Sequence, residues 1–116
     1  WATRERRRTE LSVAFHYREP LAPVLLRSLS REFEVVEVEQ RRFARLIDDA
    51  ARNVARGQRD GDIPAEVDPR FVAAILIGGT RAAMWEALTR SRRPAQARLT
   101  EDLWLFVVHG ARARLR

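Results

Sequence analysis

Few groups in this chain could do chemistry. His16 and His109 are its only histidines, and neither sits in a metal-binding spacing such as HExxH. The chain has no cysteine, which excludes disulfides and thiolate metal sites. Asp48–Asp49 and Glu101–Asp102 are adjacent pairs. On a helix their carboxylates diverge by about 100°, so they read as solvated surface rather than a paired acid and base. Gly78–Gly79 lies inside an apolar run, not in a phosphate-binding loop, and reads as a place where helices approach closely. No nucleophile falls beside a base. No catalytic residue, metal or cofactor is expected. A small all-α enzyme assembled from distant positions is kept only as a third reading.

Charge offers the next signal. The 22 basic residues exceed the 16 acidic ones, giving +6, and every basic residue is Arg. Such a surface could attract phosphate. A GC-rich coding bias produces the same composition, and the scatter of Arg beside Glu and Asp favours it. Only Arg4–Arg8 and Arg112–Arg116 are dense. With 46% hydrophobic residues in 116, the chain is expected to form one domain, 1–116. It begins at Trp1 and reads as a piece of a longer protein. No apolar run reaches the roughly 18 residues of a membrane span, and no signal-peptide pattern is present. A cytoplasmic protein without a membrane partner is expected.

Helices must position whatever site exists, because helical periodicity dominates and no strand signal occurs. Residues 3–18 predict a helix with Leu11, Ala14, Phe15 and Arg18 on one face, which enters polar and becomes buried near Phe15, with Pro20 stopping it at or before Glu19. Pro23 suits the first turn of a short helix carrying Val24, Leu25, Leu26 and Leu29. Ser30 can cap a long helix of about 31–56, whose buried stripe is Val36, Phe43, Ile47, Ala50 and Val54, with Gln40 on the same stripe. Gly57 is its expected stop. A loop over 57–67 follows. Asp68 then caps, and Pro69 begins, a helix that is apolar on two sides. One seam is Phe71, Ile75, Gly78, Ala82 and Trp85. The other is Val72, Leu76, Thr80, Ala83, Met84 and Ala87. A last helix, starting at Pro94 or Thr100, carries Leu99, Leu103, Phe106, Val107 and Gly110 on one face and Trp104, Val108 and Ala111 on another. A helix apolar all round is buried on both sides. Two of them in succession suit an intermolecular four-helix bundle, with a central core helix in a monomer as the alternative.

The run Leu46–Leu88 contains a long helix ending at Gly57, a GxxxGDI loop (Gly57–Ile63) and Asp68–Pro69 opening an apolar helix. The chain ends with LWLFVVHGA (Leu103–Ala111). From about Phe15 onward these features resemble the ligand-binding and dimerisation domain of the TetR family of bacterial transcriptional regulators. The family's helix-turn-helix has no counterpart here, since WATRERRRTE does not match a recognition helix.

The resemblance implies an all-α bundle of about five helices, the last two forming a four-helix bundle in a homodimer. It implies a regulator, probable repressor in family terms, that binds a small, largely apolar effector and touches DNA only through the missing N-terminal domain. The effector pocket would lie within each subunit. Its candidate walls are Phe15, Leu25, Leu26, Phe43, Ile47, Leu76, Thr80 and Met84, with Gln40 as a polar contact or as a residue bonded to backbone or solvent. The dimer face would then be Phe71, Ile75, Gly78, Ala82, Trp85, Leu103, Phe106, Val107 and Gly110, although the two seams of the 68–90 helix could be exchanged. A helical homodimerisation module without a ligand is the second reading.

Overall fold

The periodicity is realised as helices throughout. A computed structural model describes residues 1–23 and 33–113, with backbone alone at 33–36. Among these, four helices occur in order, α1 (Ala2–Arg18), α2 (Phe33–Arg59), α3 (Pro69–Thr89) and α4 (Gln96–Gly110), and no strand. The expected short helix with Leu25 and Leu26, the Ser30 cap and the side chain of Val36 lie outside the described residues. Helix α2 packs most extensively on α3, α1 packs on α4, and α3 also meets α4. The result is a slab of 41 × 35 × 16 Å.

Local chemistry explains most boundaries. Asp68 caps α3, its carboxylate accepting from the Arg70 N–H at 2.8 Å, and Pro69 occupies the first turn. Helix α1 stops at Arg18, two residues before Pro20. Helix α4 starts at Gln96, between the two expected starts. The expected stop at Gly57 is corrected, because α2 runs on to Arg59. Gly57 is buried, and a Cβ there would lie 2.9 Å from Ile63 Cδ1 and 3.1 Å from the Trp1 ring. Close packing, not helix termination, requires this glycine. The chain turns instead at Gly61, whose φ of 77° favours a residue without a side chain. Gln58 then pins the loop, its amide donating to the carbonyls of Pro64 at 2.9 Å and Val67 at 2.7 Å.

Two core clusters sit at opposite ends of α3. The first joins Val72 and Leu76 to Val54 of α2, Ile63, and Trp104, Val107 and Val108 of α4, with Trp1 packed alongside. The second joins Met84, Ala87 and Leu88 to Val13 of α1, Ala22, and Leu99 and Leu103 of α4. Each fully buried large side chain contributes about 1.5–3 kcal/mol in transfer terms. The expected buried face of α1 is corrected. Leu11 and Phe15 are exposed, and the helix buries Glu5, Thr9 and Val13 instead. These recur every four residues, and the buried Glu5 is matched by Arg8, whose Nε donates to it at 2.9 Å. Arg6 bonds Glu101 at 3.0 Å and lies 5.6 Å from the centre of the Trp104 ring, holding α1 on α4. Tyr17 donates to the Pro94 carbonyl at 2.6 Å and secures the other end.

Candidate effector cleft and apolar outer face

Between the two core clusters, α1, α2 and α3 diverge and leave a partly open cleft of about 400 Å³. Each helix presents one line of residues at helical spacing. Helix α1 gives Arg8, Ser12, Phe15 and His16, with Thr9. Helix α2 gives Glu39, Arg42, Phe43 and Leu46. Helix α3 gives Ile77, Thr80, Arg81 and Met84. Steps of three and four place each set on one face. The floor is apolar and the rim carries charge. A mixture of apolar surface with a few polar groups is usual for small-molecule sites. Within the wall, His16 Nδ1 donates to the Ser12 carbonyl at 2.7 Å, and its ring meets Phe15 edge-on. This bond fixes the ring and leaves Nε2 as the acceptor of the neutral imidazole.

Of the expected wall residues, Phe15, Phe43, Thr80 and Met84 line this cleft together. Three do not. Leu76 is buried in the first core cluster, where it meets α4 rather than the cleft. Ile47 is half-buried but outside the lining. Gln40 is exposed, so the expectation of a buried primary amide is corrected: its position on α2 turns toward solvent. Leu25 and Leu26 lie outside the described residues. Arg8, Glu39, Arg42 and Arg81 were not expected in the wall. Glu39 lies one turn from Phe43, Arg42 beside it, Arg81 one turn from Met84 and Arg8 one turn from Ser12, but a search for apolar stripes passes over charged residues.

The outer seam of α3 is uncovered. Phe71 is 66% exposed, Ile75 46% and Ala82 is also exposed, while Gly78 and Trp85 are half-buried. From α4, Phe106 is 45% exposed and Gly110 is exposed. The Phe106 ring lies against Gly79, where a Cβ would come within 3.2 Å, so the α4 residues adjoin those of α3. Nothing crowds Gly78. Two expected members of this face are corrected. Leu103 and Val107 are 3% and 1% exposed and belong to the core clusters of the chain itself rather than to its outer face. By length and composition α3 could also cross a membrane, with a mean hydropathy of 1.3 over its best window, although a third of that window is buried inside the domain. This departs from the expectation of no span-length run. Arg81 and Glu86 interrupt the letters of the run without lowering its average enough.

A second groove of about 370 Å³ runs between α3 and α4, lined by Ala83, Ala87, Leu99, Leu103 and Phe106 with Glu86, Arg90 and Asp102 at its edges. Hydrogen bonds donated to Glu86 and Asp102, and then the charges of those carboxylates, raise the pKa values of Arg90 and Arg98. Both guanidinium groups are charged at any physiological pH. The adjacent acidic pairs behave as surface: Asp48 pairs with Arg70, Asp49 with Arg52, Glu101 with Arg6 and Asp102 with Arg98. No cluster of metal-ligating side chains occurs among the described residues. The described residues thus form an all-helical assembly with an amphipathic cleft and an apolar outer face on α3. Compared with protein-family models, curated proteins and solved structures, the chain matches none.

Proposed function

We propose that this chain is the effector-binding and dimerisation domain of a TetR-like transcriptional regulator. One observation carries the reading. Helix α3 has two apolar sides: the inner one is core and cleft wall, while the outer one leaves Phe71 and Ile75 largely in water. Contiguous apolar surface of this kind marks an interaction site. A second copy of the chain is the occupant the family resemblance supplies. In that reading a small molecule enters the cleft of each subunit and biases the position of α3, which carries the dimer contact on its other side. DNA would be held by a helix-turn-helix domain preceding this segment, in the cytoplasm, and the effector would control it. No chemical step is assigned to the chain.

The test is the oligomeric state. Light scattering of the chain at micromolar concentration is expected to give a dimer. Ala82→Glu, which sets a carboxylate among the outer-seam residues without touching the core, is expected to give a folded monomer. A monomeric parent chain defeats the reading. So does an Ala82→Glu variant that dimerises as tightly as the parent.

A further inference from the structure

The charges around the cleft do not cancel. Arg8 is satisfied by the buried Glu5. Glu39 and Arg81 are each engaged in an interaction. Arg42 makes no hydrogen bond or ion pair among the described residues. It stands one turn from Glu39 and Leu46 and beside Phe43, on the α2 face that lines the cleft. The charge left to be matched at this site is therefore positive, directly above an apolar floor. Resting on the effector-binding reading, we propose that the cleft selects an amphipathic organic anion, with a carboxylate head at Arg42 and an apolar body against Phe15, Phe43, Leu46 and Met84.

The physical basis is a difference between ligands. A neutral alcohol of the same body gains the floor but offers Arg42 only one uncharged hydroxyl acceptor, without the charge-assisted, bidentate contact. A cationic one meets Arg42 with like charge, and the only carboxylate of the wall, Glu39, is already engaged. An anion gains the floor and a charge-assisted, bidentate contact with a guanidinium. Arg42 is exposed, so water and salt moderate the gain. The expected preference is about tenfold in Kd.

Three probes of equal chain length separate these cases: decanoate, 1-decanol and decyltrimethylammonium, each kept monomeric and titrated calorimetrically into the chain. Decanoate is expected to bind about tenfold tighter than decanol, with decyltrimethylammonium the weakest. Arg42→Gln should remove the decanoate advantage and leave decanol unchanged, and circular dichroism should show unaltered helix. Thr80→Trp, which fills the cleft from α3, should weaken all three. Equal binding of decanoate and decanol overturns the inference, as does tighter binding of the cation or an unchanged decanoate affinity in Arg42→Gln. If the three bind alike and Thr80→Trp weakens them alike, the effector site stands and only its anion selectivity is lost. If none binds, or Thr80→Trp changes nothing, the effector reading falls with it.

Discussion

Gly57 allows a prediction whose sign depends on the structure. It sits inside α2, two residues before the helix ends at Arg59. On helix propensity alone, Gly57→Ala should stabilise the chain by about 0.8–1 kcal/mol. The packing opposes this. The new methyl would stand 2.9 Å from Ile63 Cδ1 and 3.1 Å from two atoms of the Trp1 indole. Ile63 is only 3% exposed, so its terminal methyl has no free space to enter. Overpacking of such a site costs about 1–3 kcal/mol. The balance is a net loss of about 1 kcal/mol, and the closest clash identifies its source. Ile63→Val removes Cδ1 at a cost of about 0.5–1.5 kcal/mol. In that background Gly57→Ala should become neutral or stabilising, giving a coupling of about 1 kcal/mol between two positions six apart in sequence. Urea unfolding of the four proteins, followed by circular dichroism and by tryptophan fluorescence, measures every corner of the cycle. The reasoning is refuted if Gly57→Ala stabilises the parent by the full propensity increment, or if its effect is the same with Ile63 and with Val.

Two further outcomes separate core from surface. Leu76→Ala opens a void in the first core cluster, where Leu76 is 2% exposed, and should cost about 2–5 kcal/mol in the same unfolding assay. Asp68→Ala removes the carboxylate that caps α3 and should cost about 1 kcal/mol, with no change in binding at the cleft some three turns away. A loss below about 0.3 kcal/mol for Asp68→Ala would place the helix start under the control of Pro69 and packing alone.

Much of the scaffold was legible in the sequence because single residues dictated it. Asp68–Pro69 set the start of α3, and the alternation Val72, Leu76, Met84, Ala87 set its inner seam. What failed did so for stated reasons. Gly57 and Gly61 both look like helix stops, and only the tertiary contact with Trp1 and Ile63 shows that the first is a packing glycine. Leu11 and Phe15 look like the buried stripe of α1, but the helix sits on α4 through Glu5, Thr9 and Val13. A buried glutamate is unreadable until Arg8 is seen to match it. In the cleft, Phe15, Phe43, Thr80 and Met84 were visible as an apolar wall. Its charge was missed for the converse reason, since Arg42 carries its meaning through the neighbours it lacks.

The contrast between α3 and α4 shows how far angular arithmetic reaches. At about 100° per residue, the seams Val72–Ala87 and Phe71–Trp85 of α3 centre on nearly opposite directions. No single layer of neighbours can cover both, and the structure leaves the outer one exposed. The two faces assigned to α4 are different. Leu99, Leu103 and Val107 together with Trp104, Val108 and Ala111 fill one continuous arc of about 180°. One broad contact covers that arc, and all six side chains are buried in their own subunit. Reading them as two surfaces therefore double-counted a single wide one and wrongly sent Leu103 and Val107 to a partner. Phe106, at the edge of the arc, is 45% exposed and lies against Gly79 of α3. The number of apolar residues on a helix does not decide how many neighbours it needs. Their angular spread does, and among the described residues the outer seam of α3 leaves Phe71 66% and Ile75 46% exposed.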